Sequence, residues 1–183
     1  MNIDNPTVIL ITGPAASGKT STATKIAENQ NWVLISEDDF WDEIKKNRPP
    51  NELRTDKEED IVRPLVVKKI MDELSSGKNV VLEFLVYDIP PKSIIYYKKE
   101  LLKNNVNVVI RVLRPNIDTI LKRVSVRGRA DDAGVKIEQL RKDAKHQIEC
   151  LRSKFIDPEW VIDNSNISIE EVYNKYFLPI IEQ

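Results

Sequence analysis

Two glycines, a lysine and a threonine near the start of the sequence are spaced in a way that suits the binding of phosphate groups. Residues 13–20 read Gly-Pro-Ala-Ala-Ser-Gly-Lys-Thr and fit the pattern G-x-x-x-x-G-K-[ST] at every position. The glycines let successive N–H groups face one concavity, where they can surround the β-phosphate of a nucleotide. Lys19 adds positive charge beside the β- and γ-phosphates, which makes it a candidate catalytic residue, and the Thr20 hydroxyl is a candidate ligand of Mg²⁺. The pattern predicts a nucleoside triphosphate site formed by Gly13, Pro14, Ala15, Ala16, Ser17, Gly18, Lys19, Thr20 and Ser21.

Carboxylates follow the second apolar run of the sequence, residues 32–36. Asp38 and Asp39 lie just beyond it, and a carboxylate near the γ-phosphate can orient an alcohol and accept its proton. Asp38 is therefore the candidate catalytic base, and both aspartates are candidate substrate contacts. The alternative is that they only cap or charge the first turn of the next helix. Trp41 could stack on a substrate ring, or it could belong to the core.

A single glutamate, Glu83, stands near the end of a third apolar run, residues 79–84. A buried carboxylate needs a partner, because burying an unpaired charge is costly. Glu83 is a candidate for holding a metal-bound water or a substrate hydroxyl. A structural salt bridge with an arginine is the competing explanation.

Three arginines within a short stretch, with a glycine among them, indicate a mobile lid at about residues 123–135. Arg123, Arg127 and Arg129 could bring cations to the transferring phosphoryl group without bringing water. Arg127 is the candidate catalytic cation among them. The same arginines could instead form a solvated helix surface. The lone histidine, His146, is expected in a helix remote from these motifs, with a structural role.

The substrate-side segment, at about residues 41–63, is rich in charges and contains two consecutive prolines. Within it, residues 45–57 are predicted to be a loop or a mobile subdomain. Arg48, Arg54 and Arg63 are candidates for binding an anionic acceptor, with a solvated charged face as the alternative.

These residues need a scaffold, and the apolar runs supply one. Residues 7–12 form a β-branched run before the phosphate pattern, and residues 21–28 have apolar positions at helical spacing. This order of strand, loop and helix directs the positive end of the helix dipole toward an anion. Further apolar runs alternate with helical patterns, which predicts a parallel α/β sheet; they cover residues 32–36, 79–84, 106–113 and 160–162.

Two helix boundaries carry local signals in the sequence. Apolar spacing predicts a helix over residues 61–74 that ends at Gly77. Ser168 and Glu171 form a capping-box pattern, which predicts the start of the last helix.

The composition predicts one domain over residues 1–183, because the chain is long enough for one full core. Apolar residues make up 41% and charged residues 31%, as in ordinary globular proteins. The net charge of -1 argues against a surface that binds extended nucleic acid. The single cysteine, Cys150, cannot form an internal disulfide, so we expect a cytoplasmic location. No leader pattern or membrane-length apolar run is found, so we expect no membrane partner, and both a monomer and a homodimer are compatible with the sequence.

Together these features resemble the small P-loop kinases, the group that includes chloramphenicol phosphotransferase, gluconate and shikimate kinases, nicotinamide riboside kinase and the zeta toxins. The resemblance covers most of the chain and rests on four features in the family's order, at residues 13–20, 35–40, 123–129 and 163–166. It implies a P-loop NTPase fold with three layers, α/β/α, and a five-stranded parallel sheet of strand order 2-3-1-4-5. It also implies ATP and Mg²⁺ as cofactors and a small-molecule hydroxyl as the second substrate.

The resemblance also implies roles for single residues. In the riboside and uridine kinases the first aspartate after the second strand faces the acceptor hydroxyl, and Asp38 has that position here. The zeta toxins have a glutamate after a similar strand, which corresponds to Glu83. A lid arginine in this family stacks on the adenine, with the loop after the fifth strand on its other side, so Asn164 is a candidate adenine contact. The sequence has no clear apolar run ending in an aspartate, the Walker B pattern of many relatives, so Asp39 and Glu83 are alternatives for the acidic group near Mg²⁺.

The sequence thus predicts an ATP-dependent phosphotransferase that moves the γ-phosphate to a hydroxyl of a small molecule, such as a sugar, a nucleoside or an antibiotic. The alternatives are a zeta-toxin-like nucleotide-sugar kinase, a polynucleotide kinase and a non-catalytic nucleotide-binding regulatory module. A signalling GTPase is disfavoured because the sequence lacks an Asn-Lys-x-Asp motif. An ABC or AAA+ motor would require further signature motifs and usually a longer chain.

Overall fold

A parallel β-sheet forms the centre of the protein. The computed structural model describes residues 5–45, 55–127 and 136–182, and within them five strands pair in the order β2-β3-β1-β4-β5. Strands this apolar suit a parallel sheet, because both faces of such a sheet are covered by helices. The predicted strand order is confirmed. The strands are β1 Thr7–Thr12, β2 Val33–Ser36, β3 Val80–Phe84, β4 Asn107–Leu113 and β5 Val161–Ile162.

Helices cover both faces of this sheet. On one face α2, α3 and α4 pack against side chains such as Leu10 and Leu82. On the other face α1, α7 and α8 pack against side chains such as Ile9 and Val81. The three layers that the resemblance implied are therefore confirmed. The described helices are α1 Lys19–Gln30, α2 Glu37–Lys45, α3 Asp56–Ser75, α4 Lys92–Lys103, α5 Ile117–Arg127, α6 Ile137–Cys150, α7 Ile169–Tyr176 and α8 Leu178–Ile181, with a short 3-10 turn at Pro158–Trp160.

A smaller apolar cluster joins α5 and α6. Ala16, in the loop between β1 and α1, packs against this cluster. The loop is therefore braced by the two helices that flank the predicted lid in the chain. The buried members of the cluster are Ile120, Val124, Ala144 and Ile148.

The start of α3 differs from the prediction. This helix begins at Asp56 and not at residue 61, because Thr55 and Glu58 form a capping box. The Thr55 hydroxyl accepts the Glu58 N–H at 3.3 Å, and a Glu58 carboxylate oxygen accepts the Thr55 N–H at 2.8 Å. The predicted loop at residues 45–57 is thus wrong at its ends, and residues 46–54 lie outside the described residues.

Other predicted boundaries agree with the structure to within a residue or two. Gly77, with a φ of 78°, follows the end of α3, and the capping box of Ser168 and Glu171 opens α7. Trp160 belongs to the turn before β5 and not to the strand itself.

All the strands point in one direction, so their carboxyl ends meet at one edge of the sheet. Ligands of open parallel sheets bind at this edge, between the loops that leave the strands. The phosphate pattern follows β1, Asp38 follows β2, and Glu83 lies near the end of β3, so these candidate residues are at this edge. Among the described helices, none has the length and apolarity that a membrane crossing requires.

Candidate active site

The loop between β1 and α1 has two glycines for two different physical reasons. Gly18 has a φ of 98°, a left-handed conformation that residues with a side chain rarely adopt. A Cβ on Gly13 would lie 2.3 Å from the carbonyl oxygen of Leu113 at the end of β4. The loop therefore turns tightly at Gly18 and passes close to the neighbouring strand at Gly13. Because α1 begins at Lys19, the N–H groups of its first turn face the same concavity.

Three side chains hold this loop from outside. Arg123 of α5 and Asn164, after β5, both donate hydrogen bonds to the Ser17 carbonyl, at 2.9 Å and 2.7 Å. Gln147 of α6 accepts the N–H of Ala15 at 2.8 Å. The second terminal nitrogen of the Arg123 guanidinium group donates to the main-chain carbonyl of Asn164 at 2.7 Å. Arg123 and Asn164 thus hold the Ser17 end of the loop together. Contacts within the protein thus hold the loop in its curved shape.

Lys19 lies across the loop that precedes it. Its ammonium group donates a hydrogen bond to the Pro14 carbonyl at 3.1 Å, and its side chain is largely buried while still lining the cleft. A lysine held in this way presents its charge to the phosphates that the loop would surround. Its predicted role as a phosphate ligand is compatible with this position.

Glu83 is the most constrained carboxylate of the cleft. It is 6% exposed, and both of its carboxylate oxygens lie 3.0 Å from the Thr20 hydroxyl. Ser36, at the end of β2, donates a further hydrogen bond to Glu83 at 3.0 Å. Among the described residues, no arginine or lysine pairs with this carboxylate, so the salt-bridge explanation is wrong for the described part of the chain. Sequence reasoning gave Ser36 no role, although it lies in the motif at residues 35–40.

Thr20 and Glu83 fit a magnesium ion by the chemistry of their donor atoms. A hydroxyl and a carboxylate are the hard oxygen ligands that Mg²⁺ binds, usually through one or two protein groups together with phosphates and waters. In the described part of the chain, no cluster of three or more His, Cys, Asp or Glu side chains could hold a metal by itself. The two residues lie next to each other as a shared metal site with a nucleotide would require.

Asp38 lies in the first turn of α2, directly after β2, and its side chain faces the cleft. The side chain is exposed, as an acceptor-binding carboxylate must be. Asp39 is also exposed, but it is not among the residues that line the cleft. Glu37, the residue before them, is buried and accepts a hydrogen bond from the Tyr97 hydroxyl. Consecutive acidic residues thus point in different directions, and the geometry favours Asp38 as the substrate contact.

The cleft has a volume of about 870 Å³, which is within the range of small-molecule sites. The phosphate loop lines this cleft together with Asp38, Glu83 and Tyr87. The side chain of Tyr87 is 41% exposed and follows β3. Sequence reasoning missed it, because nothing in its local pattern distinguishes it from a loop aromatic.

Trp41 does not lie in this cleft. It is 2% exposed and packs in the core between α2, α3 and the sheet. A ring buried in this way cannot stack on a substrate, so the predicted substrate contact is corrected to the core alternative. Among the described residues that line the cleft, Tyr87 is the aromatic one.

The predicted lid is helical at its start. Arg123 and Arg127 belong to α5, and burial lowers the pKa of Arg123, whose guanidinium is held by the Ser17 and Asn164 carbonyls. Arg123 therefore anchors the phosphate loop. Arg127, in the last turn of α5, is half-buried and lines the cleft. Arg129 lies outside the described residues, as do residues 128–135.

Arg63 is neither solvated nor available for an anionic acceptor. It is 6% exposed and forms ion pairs with Glu59 and with Asp88, the latter at 3.9 Å. It also donates to the Ser93 hydroxyl at 3.3 Å. Its charge is thus neutralised within the protein. Arg48 and Arg54 lie outside the described residues.

His146 lies nearer to the site than the sequence suggested. Its Nε2 atom is 3.0 Å from the Tyr87 carbonyl, in the loop after β3. The expectation of a remote residue is therefore wrong, although a structural role agrees with this contact.

The parallel sheet, the phosphate loop and the cleft at the strand ends define a P-loop nucleotide-binding protein. Residues 8–147 match a family model described as an AAA domain, and the chain belongs to this family. The match covers most of the chain. With this match, the predicted resemblance to the small P-loop kinases is confirmed.

One curated relative and two solved structures extend the comparison. Uridine-cytidine kinase A of Dictyostelium discoideum is 40% identical over 82 residues, which is 43% of this chain and only 16% of that protein's length. The tunicamycin resistance protein of Deinococcus radiodurans is 17% identical, with a TM-score of 0.64 over 93% of this chain and 92% of that chain. Shikimate kinase from Bacteroides thetaiotaomicron is also 17% identical, with a TM-score of 0.64 over 97% of this chain and 99% of that chain. At such identities the two structures show a shared fold.

Proposed function

We propose that the protein is a kinase that uses ATP and Mg²⁺ to phosphorylate a hydroxyl of a small molecule. The observation that carries this proposal is that Lys19, Asp38 and Glu83 line one cleft, with the phosphate loop on one side and an exposed carboxylate on the other. A nucleotide bound by the loop would place its γ-phosphate between them. This is the arrangement that phosphoryl transfer to an alcohol needs, because the reaction depends on positioning and on charge neutralisation.

Asp38 is the proposed base. Its carboxylate is exposed to the cleft, so it can accept a hydrogen bond from the acceptor hydroxyl and take the proton as the new P–O bond forms. The side chain is positioned by its neighbour, Glu37, which is buried and bound to Tyr97. The oxygen of the acceptor would then face the γ-phosphorus in line with the leaving ADP.

Cations complete the proposed site. Lys19 is the proposed ligand of the β- and γ-phosphates, and Arg127 approaches from the end of α5 to offset the charge of the transferring group. Thr20 and Glu83 would hold Mg²⁺, directly or through a water, and the ion would neutralise phosphate charge. Arg123 and Asn164 hold the loop through the Ser17 carbonyl. Asn164 is also the proposed adenine contact.

The named relatives support this class without fixing the acceptor. One is called a uridine-cytidine kinase, one a shikimate kinase and one a tunicamycin resistance protein, so their printed names point to different small molecules. We infer that the acceptor side of the cleft, and not the phosphate loop, decides between such compounds. The proposal includes a cytoplasmic location, where ATP is abundant, and no nucleic acid or membrane partner.

The test is acceptor-dependent ADP release with ATP and Mg²⁺ over a panel of sugars, nucleosides, aminocyclitols and phenicol antibiotics. We expect one class to raise the rate at least tenfold over hydrolysis by water. Lys19→Met serves as the matched control, since it keeps the length of the side chain and removes its charge. If no acceptor raised the rate while ATP still bound, a regulatory nucleotide-binding module would replace this proposal. If oligonucleotide 5′ hydroxyls or a nucleotide sugar were phosphorylated preferentially, the corresponding kinase class would replace it.

A further inference from the structure

A residue far along the chain touches the phosphate loop at its first half. The N–H of Ala15 donates a hydrogen bond of 2.8 Å to the side-chain carbonyl of Gln147, and 132 positions of sequence separate the two residues. Ala15 lies in the wall of the cleft. The contact therefore connects α6, the helix after the predicted lid, to the segment that would surround the phosphates.

The orientation of Gln147 is fixed by its surroundings. The residue is 4% exposed, although most glutamines are on protein surfaces. Its neighbours Ala144 and Ile148 are buried in the cluster that also receives Ala16 of the loop. A buried amide is costly without a hydrogen bond, so the bond to Ala15 and the packing of α6 support each other.

The three contacts that hold the loop act on two backbone groups. Arg123 and Asn164 donate hydrogen bonds to the carbonyl of Ser17, which turns the adjoining N–H groups toward the concavity. Gln147 accepts a hydrogen bond from the N–H of Ala15, which keeps that donor turned toward α6. The first half of the loop is thus held by α6, and the second half by α5 and the loop after β5.

We propose that Gln147 is a positioning residue for nucleotide binding: by accepting the Ala15 N–H it fixes the first half of the phosphate loop in the shape that surrounds the β-phosphate. It acts through the loop and does not itself touch the nucleotide. This role rests on the nucleotide-binding part of the proposed function and does not depend on the acceptor. It predicts that nucleotides with a β-phosphate lose affinity when the bond is removed.

Calorimetric binding of ADP, ATP and AMP tests this role. Gln147→Leu keeps a side chain of similar size and removes the acceptor. Gln139→Leu is the matched control, since Gln139 is exposed on α6 and its side chain donates to Asp143. We expect Gln147→Leu to bind ADP and ATP about three- to tenfold more weakly, the effect of one buried hydrogen bond, with AMP unchanged. The control should bind all three like wild type. Gln147→Asn, which keeps the amide but is one methylene shorter, should show a smaller loss and serves if the leucine variant does not fold.

Four outcomes would overturn the proposal. Wild-type affinity in Gln147→Leu would show that the bond does not position the loop, and tighter binding would show that it restrains the loop instead. An equal loss for AMP would show a general disturbance of the fold. If the wild-type protein bound neither ADP nor ATP, the proposed function itself would fail, and this role with it.

Discussion

Tyr97 of α4 donates a hydrogen bond of 2.5 Å to the carboxylate of Glu37, the first residue of α2. Both side chains are buried, with exposures of 0% and 3%. Burial and the nearby charge of Glu37 raise the pKa of Tyr97 well above its usual value, so the phenol remains a donor. Because Glu37 directly precedes Asp38, this bond fixes the turn from which the proposed base reaches the cleft.

Removing the Tyr97 hydroxyl tests this connection. Tyr97→Phe leaves a buried carboxylate without one of its donors, so we expect a loss of about 1–3 kcal/mol in the free energy of unfolding. The turnover number should fall several-fold while the affinity for ATP stays unchanged. Urea unfolding and steady-state kinetics measure the two effects, with Tyr96→Phe on the same helix as the control. A change in ATP affinity alone would contradict the connection to Asp38.

The raised pKa of Tyr97 also predicts how stability depends on pH. The unfolded phenol loses its proton near pH 10, whereas the folded phenol keeps it, because desolvation and Glu37 oppose its ionisation. The unfolded state therefore binds fewer protons above that pH, and stability falls as the pH rises further. We expect the stability of Tyr97→Phe to fall less steeply between pH 9.5 and 11 than that of wild type, measured by denaturant unfolding. Parallel curves for the two proteins would contradict this assignment.

The neighbouring aspartates should differ sharply when each is replaced. Asp38→Asn removes the proposed base and should lower the turnover number by about 10²-fold or more, with ADP affinity unchanged. Asp39→Asn is the matched control, since that side chain is exposed outside the cleft lining, and its turnover should remain within about threefold of wild type. The turnover numbers of both variants are measured with the acceptor from the panel that gives the highest rate in wild type. Equal effects of both replacements would remove Asp38 from the role of base.

Replacing Glu83 tests the proposed metal site. Glu83→Gln keeps the size of the side chain and removes the charge that faces Thr20. We expect the Mg²⁺ concentration for half-maximal activity to rise about tenfold, while metal-free ADP binding changes little. Ser36→Ala, which removes only a hydrogen bond to Glu83, should show a much smaller shift. An unchanged Mg²⁺ requirement in Glu83→Gln would exclude Glu83 as a metal-site residue.

Two glycine replacements distinguish the two reasons for which a position can require glycine, lack of space for a side chain and a positive φ. Gly13→Ala places a Cβ 2.3 Å from the Leu113 carbonyl, so the loop or β4 must move. We expect a loss of about 1–3 kcal/mol in stability together with a loss of ADP binding. At Gly77 an added Cβ would have no neighbour within 4 Å, and only the positive φ of 78° opposes a side chain. Gly77→Ala should therefore lower the free energy of unfolding by about 1–2 kcal/mol without changing ADP binding. Normal ADP binding in Gly13→Ala would show that the loop tolerates the shift.

The sequence predicts local features well and distant contacts poorly. The strands and the phosphate loop follow from short patterns, because apolar runs and glycine spacing act within a few residues. The early start of α3 was also visible, since Thr55 and Glu58 are a capping pair, but the surrounding charges suggested a loop. Gln147 and Tyr87 could not be predicted, because what places them in the site is the packing of elements far apart in sequence.

Other differences arise from burial, which a pattern of charges does not reveal. Arg63 looked like a surface cation or an anion ligand, yet carboxylates surround it inside the protein. Trp41 follows the acidic cluster in the sequence, yet its side chain is buried in the core. Arg123 was assigned to a lid on the basis of arginine spacing, whereas the helix that contains it continues to Arg127.

The residues that line the cleft come from different stretches of the sequence. Asp38 and Tyr87, which are proposed to face the acceptor, lie in one stretch of the sequence that also contains β3 and Glu83. The phosphate loop, α5 and α6 come from the stretches before and after it. A graft of the intervening stretch from a relative, with Glu83 retained, could therefore transfer acceptor preference as a unit and leave the triphosphate machinery of the host intact.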